Sequence, residues 1–297
     1  MRMICLHQVD AFTNVLFGGN PAGVVTNADA LTDQEMAKIA REMSWSKTAF
    51  VLRPSKDGAA VRLRFFTPEA EVNFCGHATI GALHQLARSN RLGLGEAGRN
   101  IVAVETNAGV LDMAVTNKDE KSRVTFTAPE VEMVPYRLQG ADFAAEFGVP
   151  AELLKPNGTI LIDRLLDYVY IPVVSLDKLG TQAFDFSRIR ERSAAEGIVV
   201  FCFFAVGSVD ENADLHARGL APNVGVDEDP FTGSMQSGLV HAAKHNGYIG
   251  ESVQNIVTEQ GHFIGRPGFA EIEHHSGSGA VLVSAEAVSV FSTTIEL

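Results

Sequence analysis

Apolar positions recur along the chain with two periods, and each marks a different kind of element. From Leu31 to Met43, the residues Met36, Ile39, Ala40 and Met43 fall on one face at helical spacing. Thr32 and Glu35 stand at its start with the spacing of a capping box, in which two side chains satisfy N–H groups that the first turn leaves unpaired. An amphipathic helix is expected there. In Val61-Arg-Leu-Arg-Phe65 apolar and charged residues alternate, as in a strand with one buried face, and Thr67-Pro68-Glu69 ends the run. Residues 101–106, 110–115 and 124–127 predict further short strands, with turns at Asn107-Ala-Gly109 and residues 117–121. Residues 141–147 predict a short helix stopped by Gly148 and Pro150. Beyond it, residues 168–174, 198–206 and 280–283 read as strands and 184–196 as a helix.

The chain also repeats itself. A shift of 157 residues lays Gly76-His-Ala-Thr-Ile-Gly81-Ala-Leu-His84 over Gly233-Ser-Met-Gln-Ser-Gly238-Leu-Val-His241, matching glycine, glycine and histidine at the same spacing. Each segment follows an irregular proline-bearing loop and enters a stretch rich in small residues with no clean polar face, the pattern of a buried helix. Two similar domains, each with a core helix, are expected, with a boundary near residues 127–129. The first covers residues 1–128 and the second 129–297, and a C-terminal strand at about 282–297 is free to pack with the first.

Gly76 and Gly233 stand where each helix begins, and the first N–H groups of a helix have no intrahelical partner and lie at the positive end of its dipole. Two such ends across a domain cleft suit an anionic group such as a carboxylate. The bland alternative is that these glycines only permit tight helix packing. His77 at one start and Asp229 ahead of the other can form an acid/base pair on opposite sides of a ligand. Taken singly, His77 also fits a hydrogen-bonded helix residue and Asp229 an ordinary loop carboxylate. Cys75 maps onto Thr232 under the same shift, so a two-thiol racemase lacks its second cysteine, and Cys75 reads as structural.

Composition narrows the function classes. With 297 residues, 46% hydrophobic and 20% charged, the chain is a folded globular protein rather than a disordered one. A net charge of -12 argues against nucleic acid as a partner. The longest apolar run, Ile198 to Val206, is about half of a membrane span. The N-terminal residues turn polar before a signal-peptide core develops, so a cytoplasmic protein is expected. Three cysteines without a Cys-x-x-Cys pair argue against a disulfide framework or a thiolate zinc site. His262, His274 and His275 show no metal-cage spacing, and no metal is expected. Gly18-Gly-Asn-Pro-Ala-Gly23 fits neither the dinucleotide nor the phosphate-loop pattern, so no cofactor is expected and the segment reads as a loop at a domain edge.

Val9-Asp-Ala-Phe-Thr13, Gly19-Asn-Pro-Ala-Gly-Val24, Ser46-Lys-Thr-Ala-Phe-Val51, Phe65-Phe-Thr-Pro68, Phe74-Cys-Gly-His-Ala-Thr79 and Asp227-Glu-Asp-Pro-Phe-Thr-Gly-Ser234 occur in this order, followed by Gln260-Gly261 and Gly265-Arg-Pro-Gly268. The series resembles the phenazine-biosynthesis PhzF family over essentially the whole chain. The resemblance implies the α/β (α+β) diaminopimelate epimerase-like fold, with two similar domains, each a mostly antiparallel sheet wrapped around a central helix. It implies an active site between the domains, cofactor-independent proton transfer and a homodimer. The family's best-characterised activity isomerises trans-2,3-dihydro-3-hydroxyanthranilate. Asp229 and His77 match catalytic positions, and Gly76, Gly233, Thr232 and Ser234 match the binding surface.

Lys47 departs from the pattern, since the isomerase has glutamate in the slot that Ser46-Lys47-Thr48 fills here. A lysine base requires its proton affinity to fall from an ordinary pKa of about 10.4 toward about 7 or 8. A lysine cation instead anchors a substrate carboxylate or a developing enolate while Asp229 and His77 exchange protons, the role favoured here. A Schiff base has no separate support. The expected function is an isomerase or epimerase acting on a small carboxylate-bearing molecule. The alternative is a catalytically silent small-anion binder or regulator of the same fold.

Overall fold

Thr32 caps the first helix as its spacing requires: its hydroxyl accepts from the Glu35 N–H at 3.3 Å, and the Glu35 carboxylate accepts from the Thr32 N–H at 2.8 Å. The computed structural model describes every residue except Met1, Glu120, Glu211, Ser276 and Ser278. Residue contacts divide it into two units, 1–127 with 284–297, and 128–283.

In the first unit the order is β1 (Met3–Ala11), β2 (Asn20–Val25), α1 (Asp33–Met43), β3 (Thr48–Leu52), β4 (Val61–Phe66), β5 (Glu71–Val72), α2 (Gly76–Arg88), β6 (Gly98–Thr106), β7 (Gly109–Lys118) and β8 (Lys121–Thr127). The second contains β9 (Met133–Pro135), α3 (Gly140–Phe147), β10 (Leu161–Asp163), β11 (Tyr168–Pro172), α4 (Leu176–Thr181), α5 (Phe186–Glu196), β12 (Val200–Val206), β13 (Leu215–Ala221), β14 (Val226–Asp229), α6 (Gln236–His245), β15 (Asn255–Gln260) and β16 (Gly268–His274). A last strand, β17 (Val281–Glu296), contributes all but its first residues to the first unit.

Within the first unit β1 pairs with β2, β2 with β3, β3 with β4, β4 with β6, β6 with β7, β7 with β8, β8 with β17 and β17 with β1. The strands therefore close into a ring, with Thr125 and Ser284 hydroxyls 2.8 Å apart between β8 and β17. Closure leaves no open edge to aggregate. Helix α2 is buried from His77 through Ala87, as expected of a helix without a polar face that strands surround. Outside the ring, Met36, Ile39 and Ala40 of α1 pack on Ile4, Leu6, Val25, Phe50 and Phe66.

In the second unit the strands run β9, β10, β11, β12, β13, β15, β16 across the sheet, and β11–β12 and β13–β15 are parallel. Helix α6 buries most of its length, while α3, α4 and α5 pack Phe143, Phe147, Leu179 and Ile189 onto Phe201 and Phe203 of β12. The two units share one connection scheme. Helix α2 joins parallel β4 and β6 as α6 joins parallel β13 and β15, and each is preceded by a short strand folded back antiparallel, β5 on β4 and β14 on β13. The fold is the mixed α+β, sheet-around-helix architecture that the resemblance implies.

The mid-helix glycines of the repeat serve packing. A methyl group on Gly238 would sit 2.2 Å from the Tyr170 hydroxyl, so β11 and α6 approach as closely as they do only with glycine there. Within the segment Gly18–Gly23, Gly18 and Gly19 are loop as expected, whereas Asn20–Gly23 are corrected to the start of β2. Its glycine content reflects close approach rather than a turn-rich loop: a side chain at Gly23 would lie 2.3 Å from the Trp45 ring. Pro21 is accommodated because pairing with β3 starts only at Gly23. Among the described residues no helix is long and apolar enough to cross a membrane.

Candidate active site

The sequence-derived site residues fall on three segments: Lys47 between α1 and β3 and Gly76 and His77 at the start of α2 in the first unit, and Asp229 to Ser234, from the end of β14 to α6, in the second. In the first unit, strand β5 and the turn after it deliver Cys75 and Gly76 to the start of α2. A side chain on Gly76 would lie 3.1 Å from the Phe126 ring, which fixes the helix start against β8. Cys75 occupies the N-cap position without a side-chain capping bond, and the first turn carries no acidic residue. The Cys75 side chain thus leaves the first N–H groups of α2 uncapped.

His77 follows on the first turn of α2 and is buried. Its Nε2 lies 3.4 Å from Ser46 Oγ and its Nδ1 3.4 Å from Cys75 Sγ. Burial pushes its pKa from 6.5 down to about 3, and the Lys47 ammonium adds to the shift. At neutral pH, His77 is therefore a neutral imidazole beside a cation. The structure brings together Ser46, Lys47, Cys75 and His77 on this side.

In the second unit, Asp229 ends β14. The two acidic residues before it are held by arginines: Asp227 accepts from Arg190 at 2.9 Å, and Glu228 takes a two-pronged bond from the buried Arg218 at 2.9 and 2.6 Å. Glu71 of β5 takes the equivalent fork from Arg64 of β4 at 2.7 and 2.8 Å. The same hairpin is therefore anchored by an arginine–glutamate pair in both units. The repeat differs where chemistry is expected, with Val72 opposite Asp229 and His77 opposite Ser234 under the shift of 157.

Thr232 Oγ1 donates to Asp229 Oδ2 at 2.6 Å. Gln260, at the end of β15, grips the same loop twice, donating to the Asp229 carbonyl at 2.6 Å and accepting from the Thr232 N–H at 3.1 Å. Gly261 follows with a positive φ of 85°, and a side chain there would press 2.6 Å from the Pro230 carbonyl oxygen. The second helix start differs from expectation. Gly233–Met235 form a 3₁₀ turn before α6, because the Thr232 carbonyl accepts from both the Met235 N–H at 3.2 Å and the Gln236 side chain at 3.1 Å. Ser234 Oγ lies 3.1 Å from the Tyr168 hydroxyl.

Several contributors escaped the sequence reading. Gln260 belongs to a motif visible in the chain, yet its role in holding the Asp229 loop depends on the parallel pairing of β13 and β15. Tyr168 and Gln236 gave no signal. His262, set aside for lack of metal spacing, lies with His216 and Glu259, a grouping also created by that pairing.

The model of the phenazine biosynthesis-like PhzC-PhzF family matches residues 9–293. An uncharacterized isomerase of Clostridium acetobutylicum is 33% identical, with 100% of this chain and 99% of that protein covered. The crystal structure of the PhzF-family phenazine biosynthesis protein of Bacillus anthracis superposes with a TM-score of 0.84 at 24% identity, covering both chains completely. A hydroxyproline epimerase from Agrobacterium vitis shares the fold at a TM-score of 0.62 and 12% identity, over 99% of this chain and 91% of that one. The match across nearly the whole sequence, together with the duplicated sheet-around-helix units, places this chain in the phenazine biosynthesis-like PhzC-PhzF family, beside relatives named as isomerases.

Proposed function

We propose that the protein is a cofactor-independent isomerase or epimerase that moves a proton between carbons of a small carboxylate-bearing molecule. His77 and Asp229 are its acid/base partners and Lys47 its electrostatic anchor, with Gly76, Thr232, Gly233 and Ser234 contributing to binding. The observation that carries this reading is the electropositive first turn of α2, which has no acidic residue and no side-chain cap and stands beside a neutral His77 within the field of Lys47. Such a site calls for an anion.

The substrate carboxylate has a second effect. Its charge offsets that of Lys47, which raises the proton affinity of His77 in the complex and lets the imidazole exchange a proton at working pH. Asp229 supplies the other carboxylate, oriented by Thr232. Asp229 or His77 removes a carbon-bound proton and holds it as its conjugate acid, Lys47 stabilises the resulting enolate, and that proton returns to a different carbon, or the other residue, protonated beforehand from solvent, delivers one to the opposite face. No redox change accompanies this step.

The second reading, a silent anion binder, draws on Lys47 occupying the slot where the family resemblance calls for glutamate. Incubating the protein with amino, hydroxy and cyclic dihydro acids in heavy water separates the two. Deuterium at carbon supports the isomerase, whereas saturable binding without exchange across the panel supports the binder.

A further inference from the structure

We propose that His216, Glu259 and His262 form a binding site for a divalent transition-metal ion of the zinc class, separate from the acid/base residues. His216 lies on β13 and Glu259 opposite it on parallel β15, while His262 stands on the 3₁₀ turn that follows, three residues after Glu259. Each residue offers one ligand atom, and these atoms lie within 4.8 Å of one another. Two imidazoles and one carboxylate are a donor set suited to zinc, and three protein ligands leave a fourth position for water.

The cluster is built on rigid elements and almost dry. The side chains of His216 and Glu259 are fully buried, and that of His262 is 12% exposed, which gives an ion its way in. Phe263 packs on the His216 ring at 4.7 Å and Phe269 on the His262 ring at 5.3 Å. The Glu259 carboxylate is held in place by His216 at 2.6 Å and by the Val209 and Asp210 N–H groups, which donate to its two oxygens.

A plain buried ion pair accounts for only part of this. Glu259 Oε1 contacts His216 Nδ1, and Oε2 lies 3.6 Å from His262 Nε2. His216 Nε2 and His262 Nδ1 are both buried with no hydrogen-bond partner among the described residues. Buried polar nitrogens without partners are uncommon, and two in one cluster show that its hydrogen bonding is not closed.

The test is a calorimetric titration of the chelator-stripped full-length chain with zinc chloride. One saturable site per chain is expected, with affinity reduced at least ~10-fold by His262→Ala. It should be unchanged by His275→Ala, a control at the exposed histidine paired with Glu273. Absence of saturable zinc binding, or equal affinity in wild type and His262→Ala, overturns the site. Should His262→Ala fold poorly, cobalt(II) added to the unmodified protein gives an independent reading by NMR. Paramagnetic broadening strongest at the His216 and His262 rings and falling off with distance from them supports the site, and broadening centred elsewhere or absent contradicts it.

Discussion

The Thr232 hydroxyl donates to the Asp229 carboxylate at 2.6 Å across Pro230, within a loop that Gln260 grips from the neighbouring strand. The bond fixes the orientation of the Asp229 carboxylate within its loop. A hydrogen bond to a charged acceptor contributes about 1.5–3 kcal/mol. Thr232→Val is therefore expected to lower proton exchange by roughly 10- to 100-fold, while Thr232→Ser, which keeps the donor, retains most of it. The measurement is the rate of deuterium incorporation in each variant, with circular dichroism confirming the fold. Equal rates in all three forms would remove Thr232 from the site.

Lys47 and His77 make a second expectation, with the sign set by charge. In the wild type, burial and then Lys47 bring the His77 pKa down to about 3. Lys47→Glu removes a cation and adds an anion, so the His77 pKa rises. The same change restores the carboxylate that the family resemblance calls for and is expected to create or raise isomerisation of trans-2,3-dihydro-3-hydroxyanthranilate. NMR titration of the His77 ring and a turnover assay check the two consequences separately.

The repeated glycines of the core helices have opposite tolerances. A methyl group at Gly81 meets Val24 and Val9 at 3.4 Å, ordinary contact, whereas one at Gly238 meets Tyr170 at 2.2 Å. Gly81→Ala should be neutral or stabilise by up to about 1 kcal/mol through helix propensity. Gly238→Ala should destabilise by about 2–3 kcal/mol or more through overpacking. Urea denaturation of the two variants measures the contrast, and equal effects would refute the packing account.

His84, inside the strand ring, makes stability depend on acid. Burial, with the charge of Arg88 adding, lowers its pKa from 6.5 to about 4. Below pH 6.5 the unfolded chain takes up a proton that the folded chain refuses until about pH 4. Stability therefore falls as pH drops through that window and the loss levels off below it. At pH 4.5 this group alone costs about 2.5 kcal/mol relative to pH 7. His84→Leu is expected to remove that part of the decline, as read from denaturation curves at the two pH values.

Much of this architecture was legible in the chain, for reasons tied to particular residues. The capping box at Thr32 and Glu35, the alternation from Val61 and the small-residue helices at Gly76 and Gly233 are local signals, and local physics decides them. The repeat at a spacing of 157 reaches further, because two copies of one topology keep their glycines where helix meets sheet. What stayed hidden depends on strand pairing. Asn20–Val25 forms a strand because Gly23 admits the Trp45 ring, a contact 22 residues away in sequence. Gln260 reaches Asp229, and Glu259 reaches His216, only because β13 and β15 run side by side. The 3₁₀ start of α6 likewise follows from the Gln236 side chain bonding back to Thr232, a choice that composition does not reveal.

The central claim is that His77 and Asp229 act on one substrate. It is tested most directly by solvent deuterium incorporation at substrate carbon in wild type, His77→Asn and Asp229→Asn, each assayed at saturating carboxylate substrate. The account predicts exchange in the wild type and its loss, by about 100-fold or more, in both variants while ligand binding persists. Exchange that survives either substitution, or its absence from a wild type that binds the same acids, would contradict it.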